Sequence, residues 1–108
     1  TPANDATESK ALLALCGEEA GSRIPVTSVK GTTGHTLGAA GITEAALSWL
    51  ILTRDLPLPP QDFSRYAPDD TLPAFGLLHQ SAPLNKPAIL SNSFAFGGNN
   101  ASLLLGRV

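Results

Sequence analysis

Lys30 and His35 stand five residues apart in a glycine-rich stretch, Lys30-Gly31-Thr32-Thr33-Gly34-His35-Thr36-Leu37-Gly38-Ala39-Ala40-Gly41, just before a run of apolar residues. A nearby cation disfavours the imidazolium form. A neutral imidazole can donate one hydrogen bond to a carbonyl or to a developing enolate oxygen. Glu44 follows inside the apolar run. A carboxylate there needs a charged or hydrogen-bonding partner, and Lys30 is the nearest candidate in sequence. Such a cluster suits carbanion chemistry beside a thioester. The same residues also fit a structural Lys30–Glu44 pair with His35 as an ordinary turn residue, and spacing alone leaves both open. A phosphate cradle is disfavoured, although glycine turns at helix starts do bind anions. The phosphate-loop pattern needs glycine before lysine and Ser or Thr after it, whereas Gly31 follows Lys30 here.

A second stretch, Ser91-Asn92-Ser93-Phe94-Ala95-Phe96-Gly97-Gly98-Asn99-Asn100, lies near the end. Gly97 and Gly98 permit unusual dihedrals and let a ligand approach the main chain. Phe94 and Phe96 share a side if the backbone is extended. They serve equally as core aromatics ahead of a hairpin. No nucleophile accompanies these groups. Cys16 is the sole cysteine. With no basic neighbour to favour its thiolate it reads as structural.

The elements that must carry these residues can be read from pattern. Asn4 or Asp5 can cap a first helix, with Asp5 and Glu8 imitating a capping box. Its apolar positions are Ala11, Leu12, Leu15 and Cys16, and it stops near Gly17. Residues 25–29 are β-branched, bounded by Pro and Gly, and predict a strand ending at Lys30. Residues 37–52 predict a helix that is apolar almost all round, hence buried, with Trp49 in the core. Six prolines exclude long regular elements from residues 56–84, and His79 there is expected at the surface without partners. Residues 88–93 and 101–105 predict two buried strands joined by the Gly97-Gly98-Asn99-Asn100 turn. Helix, strand, helix, strand, strand is the order of a layered α/β architecture.

Composition bounds the rest. With 108 residues the chain can hold one domain with its own core. Hydrophobic residues at 43% against 15% charged indicate that some surface packs against something outside the chain. A net charge of −2 without a basic cluster excludes a nucleic-acid partner. The longest apolar run, residues 45–52, is far below the roughly 20 residues of a membrane span. No signal-peptide pattern opens at Thr1, and an unpaired cysteine fits a reducing compartment. A soluble cytoplasmic protein is expected.

Three motifs in order carry a resemblance: residues 1–8 (Thr-Pro-Ala-Asn-Asp-Ala-Thr-Glu), Lys30 to Gly41 with Glu44, and Ser91 to Asn100. The chain resembles the C-terminal part of the β-ketoacyl-acyl carrier protein synthases. The resemblance implies part of a thiolase-like fold, a layered αβαβα sandwich left incomplete here. Residues 1–108 would be the C-terminal portion of a ketoacyl synthase domain. The half with the nucleophilic cysteine and a first histidine, whose His-Gly-Thr-Gly-Thr motif would end at Thr1, would lie outside the chain. Cys16 does not match the nucleophile position.

On that resemblance His35 is the second catalytic histidine, donating to the malonyl thioester carbonyl and its enolate. Lys30 orients it and Glu44 anchors the cluster. The backbone N–H of Phe96 forms half of an oxyanion hole, and its ring gates the acyl pocket. Phe94, Gly97 and Gly98 shape that loop. Ala95 and Asn99 depart from the family's usual glycine and threonine. The implied reaction is decarboxylative Claisen condensation of an acyl thioester with malonyl-acyl carrier protein, in fatty acid or polyketide synthesis. No metal or organic cofactor is called for. Expected partners are acyl carrier protein, the missing N-terminal half, and a second subunit in a homodimer or heterodimer. The alternative is a non-catalytic chain-length partner of a heterodimer. By itself this stretch is expected to be inactive.

Overall fold

A computed structural model describes residues 1–108, the side chain of Phe96 excepted. Helix α1 (Pro2–Cys16) opens on a cap different from the expected one: the Thr1 hydroxyl accepts from the Asn4 backbone N–H at 3.2 Å. Pro2 then takes the first helical position, where a missing N–H costs nothing. Glu8 joins no capping box and instead accepts from the Asn4 side-chain amide at 3.3 Å. The inward face of α1 is also rotated from expectation. Ser9 is buried and Leu12, Leu13 and Cys16 are half-buried, while Ala11 and Leu15 face outward. Gly17, at φ 81°, breaks the helix before α2 (Glu18–Arg23). Gly21 of α2 presses on Leu13 so closely that a Cβ would lie 2.8 Å from its Cδ2.

Residues 25–29 do not form the expected strand. Only Val26 makes a ladder contact, a parallel bridge to Leu77, because Pro25 lacks an N–H and no second strand adjoins this segment among the described residues. Lys30 accordingly opens a one-turn helix, α3 (Lys30–Thr33), instead of closing a strand. A 3₁₀ turn (Leu37–Ala39) leads into α4 (Ala40–Arg54). Asp55 ends α4 in the left-handed region, where the Leu56 N–H closes on the Ile51 carbonyl at 3.1 Å. The proline-rich connection is irregular as expected, with one bridge from Leu58 to Ala82. His79 is exposed, yet its ring lies 4.7 Å from that of Phe63, so it does have a partner.

Strands β1 (Ala88–Phe94) and β2 (Asn100–Gly106) pair antiparallel, from Ala88 opposite Gly106 to Phe94 opposite Asn100. Alternation sends Ile89, Ser91 and Ser93 to one face and Leu90, Asn92 and Phe94 to the other. Helix α4 covers the first face, where a Cβ on Gly41 would sit 3.5 Å from Ser93 Oγ. Arg107 ties the hairpin's end to α4 by donating to the Leu52 carbonyl at 3.0 Å. Asn92, on the second face, reaches Glu8 of α1. Helix α4 packed on this hairpin gives the expected mixed α/β layering, while the second face stays largely open.

Burial departs most from expectation. Helix α4 and the turn before it are not enclosed: Leu37 of the turn is 73% exposed, and Ile42 and Trp49 of the helix 70% and 58%, while Leu52 at 3% anchors the covered side. The strands are likewise half open, with Leu90, Leu103 and Leu104 facing solvent. Apolar faces on both sides of a two-stranded sheet lack the layers that would cover them. Among the described residues no helix is long and apolar enough to cross a membrane.

Candidate functional site

The lysine–histidine turn is positioned by long-range hydrogen bonds. Val26 N–H donates to the Gly76 carbonyl at 2.8 Å, and Leu78 N–H returns a bond to the Val26 carbonyl at 2.9 Å. Thr27 Oγ1 donates to the Pro59 carbonyl at 2.5 Å. The Gln61 amide donates to Thr27 Oγ1 at 2.9 Å and to the Ser28 carbonyl at 2.8 Å. The irregular connection thus serves as a brace for the segment entering Lys30. Past it, Thr32 and Thr33 N–H groups close on the Val29 carbonyl at 3.0 and 2.9 Å. Gly34, at φ 75°, stops α3 with its N–H on the Lys30 carbonyl at 2.9 Å. His35 emerges from this reversal, exposed, as is Lys30.

Lys30 does not pair with Glu44. No ion pair or hydrogen bond joins Lys30, His35 and Glu44 to one another among the described residues. Two reversals of the backbone lie between Lys30 and Glu44, at Gly34 (φ 75°) and at Leu37 (φ 52°). Glu44 is half-buried in the second turn of α4.

The carboxylate that feels Lys30 is Glu8. Burial pushes its pKa above the usual carboxylate value, amide hydrogen bonds from Asn4 and Asn92 pull it back, Asp5 raises it, and the Lys30 charge lowers it. Asn92 is itself fixed across the hairpin, its Oδ1 accepting from Ser102 Oγ at 2.7 Å. That bond leaves the Asn92 NH₂ to face Glu8. Residues from α1, α3 and β1 thus all influence this carboxylate, Lys30 the least of them and without an ion pair. Sequence reasoning took Glu8 for a capping residue and gave Asn92 no role. The available signals were a side-chain amide one helical turn before Glu8 and a polar residue midway along an apolar strand.

The glycine-rich loop of the hairpin has the backbone its sequence implies. Gly97 and Gly98 both adopt left-handed φ, 80° and 82°, and Ala95 N–H closes the loop on the Asn99 carbonyl at 2.8 Å. Phe94 is 42% exposed at the strand end. The ring of Phe96, expected as an acyl gate, lies outside the described residues. Two shallow, open surface hollows lie elsewhere, against Leu13, Glu18 and Pro73, and none of the expected site residues lines them. Lys30, His35 and Phe94 instead sit on open surface.

The family model described as β-ketoacyl synthase, C-terminal domain, matches residues 1–63, more than half of the chain. The chain belongs to the β-ketoacyl synthase family. It is 37% identical over 108 residues to 3-oxoacyl-[acyl-carrier-protein] synthase 2 of Coxiella burnetii, covering 100% of this chain and 25% of that protein. It is 38% identical over 110 residues to the mitochondrial 3-oxoacyl-[acyl-carrier-protein] synthase of Arabidopsis thaliana, covering 100% and 23%. Among solved structures it matches a chain from the complex of a ketosynthase with its chain length factor from Xenorhabdus doucetiae. That match has a TM-score of 0.92 and 57% identity, and covers 100% of this chain and 26% of the other. The ketoacyl synthase chain thus spans about a quarter of the length of the relatives it matches. A C-terminal piece of the thiolase-like fold accounts for the mixed helix-and-sheet layers and for the apolar faces left bare.

Proposed function

We propose that this chain is the C-terminal portion of a β-ketoacyl-acyl carrier protein synthase, with the nucleophilic cysteine and first histidine in the part beyond it. In that enzyme the cysteine takes the acyl group as a thioester. Malonyl-acyl carrier protein then loses CO₂, and the electron pair of the broken C–C bond moves into an enolate. His35 donates to the enolate oxygen. The enolate carbon attacks the acyl thioester, the N–H of Phe96 supports the oxyanion, and the cysteine thiolate leaves as the β-ketoacyl product forms. Lys30 sets the local field, and its charge extends to Glu8. Glu44 supports the cluster from α4, and Phe94, Gly97 and Gly98 shape the acyl gate. Without its other wall the isolated chain does not catalyse condensation.

The observation that carries this proposal is the intact turn from Lys30 to His35, braced by residues 59–61 and 76–78. Acyl carrier protein is the proposed substrate carrier, and a second subunit the proposed partner. Cytoplasm is the proposed setting, because the lone Cys16 suits a reducing compartment. A second possibility has one observation in its favour: the 57%-identical structure comes from a complex containing a chain length factor. A non-catalytic partner subunit would keep the fold and lack the nucleophile. The retained Lys30 and His35 favour the catalytic role.

The test uses the complete protein, acyl-carrier substrates and mass spectrometry of the acylated cysteine. His35→Ala is expected to leave acylation intact and slow condensation by about 10²- to 10⁴-fold. Equal loss of both steps would point to misfolding, and a complete protein without an acylatable cysteine would establish the partner-subunit role.

A further inference from the structure

Leu37 holds a backbone conformation that its side chain disfavours. Among the described non-glycine residues only Leu37 and Asp55 have positive φ, at 52° and 53°. Asp55 has a local reason, since it caps α4 and short polar residues tolerate that region. Leu37 has none. It is the first central residue of the turn that the Ala39 N–H closes on the Thr36 carbonyl at 3.0 Å. Primed turns put glycine at that position. The chain has a glycine available one residue later, at Gly38, where φ is not positive and a Cβ would meet nothing within 4 Å. Exchanging the two residues would remove the conflict. Packing within the chain does not account for the leucine either, because its side chain is 73% exposed.

The position of this conflict gives it meaning. Leu37 lies two residues after His35 and opens the 3₁₀ turn that leads into α4, so it is part of the joint between the imidazole and a rigid helix. A residue with a Cβ has one narrow well at positive φ, whereas glycine roams over both halves of the map. Once the fold excludes negative φ at the joint, leucine leaves a single backbone geometry, and glycine would leave many. Strain of this kind persists where the surrounding structure over-determines it, commonly at functional sites. We propose that Leu37 is a positioning residue, whose restricted backbone holds the His35 ring in one direction relative to α4. This rests on the role proposed above for His35.

The test compares Leu37→Gly, Leu37→Ala and Leu37→Asn in the complete synthase. Leu37→Gly is expected to lower kcat for condensation by about 10- to 100-fold, the scale of a misplaced catalytic group. KM for malonyl-acyl carrier protein and the rate of cysteine acylation should stay within about twofold, and the melting temperature should hold or rise. The NMR signals of a selectively labelled His35 ring should shift and broaden. Leu37→Ala and Leu37→Asn both keep a Cβ, and asparagine tolerates positive φ, so both should keep most of the rate and the wild-type His35 signals.

A Leu37→Gly enzyme with unchanged kcat and unmoved His35 signals would overturn the proposal. So would Ala and Asn variants as impaired as the glycine one, because the leucine side chain would then be the cause. If Leu37→Gly loses acylation as well, the Asn variant decides: recovery supports positioning and failure refutes it. If the wild-type protein does not condense, the proposed function fails, while the His35 signals still judge the positioning role.

Discussion

Replacing Gly76 with alanine should unseat the turn that carries Lys30. A Cβ at position 76 would fall 1.9 Å from the Ile24 carbonyl oxygen, 2.7 Å from its carbon and 3.3 Å from the Ser22 oxygen. These are backbone atoms, so no side chain can swing aside, and the two segments must part by more than 1 Å to restore ordinary contact at roughly 3.2–3.4 Å. Parting them breaks the Val26–Gly76 and Leu78–Val26 hydrogen bonds, 2.8 and 2.9 Å long. Two such bonds at about 0.5–1.5 kcal/mol each, with about 1–3 kcal/mol of overpacking, give a loss of about 2–6 kcal/mol. That is a large part of a typical total of about 5–15 kcal/mol. Urea titration of the complete protein would measure it as a lower midpoint. Hydrogen exchange would localise it, since the amides of Val26 and Leu78 should lose protection. Because Val29 leads straight into α3, condensation should fall with stability. An unchanged urea midpoint with both amides still protected would refute the reasoning.

Glu8→Gln should flatten the pH dependence of stability. A carboxyl group with a raised folded pKa binds its proton more tightly when folded, so stability falls as pH rises from the ordinary value of 4.5 through the folded value. Glutamine removes that slope and should raise the urea midpoint at neutral pH, modestly, as Glu8 is only half-buried. Parallel slopes for both proteins would refute the assignment. Lys30→Ala should slow the decarboxylative step about 10- to 1,000-fold through lost charge and hydrogen bonding, with acylation preserved. A normal rate would reduce Lys30 to a structural residue. The isolated 108-residue chain should bind an apolar-surface dye strongly through Leu37, Ile42, Trp49 and Leu104. A monomer that binds little dye would show that these faces are covered from within.

Local structure was legible in the chain wherever neighbouring residues decide it. Gly17 stops α1, prolines keep the middle irregular, and the Gly97-Gly98 turn sets the hairpin to within a residue or two of its expected ends. Turn chemistry and side-chain period act over a few residues, so the sequence displays them directly. The three motifs were readable for the same reason, each being a continuous stretch, and they sufficed for the family. Only the tertiary structure decided which residues meet. The Lys30 charge acts on Glu8, twenty-two positions upstream, and Lys30 forms no ion pair with Glu44. Gln61 braces Thr27, and Gly76 and Leu78 bond Val26. Long-range contacts depend on how whole elements stack, which no local pattern encodes. The positive φ of Leu37 lay beside a glycine that pattern reasoning would choose for it. Helix α4 shows the remaining limit. Apolarity all round means that a helix needs cover, and it read as buried. Whether the cover lies in the same stretch of chain is a property of the assembled layers, and here much of it does not.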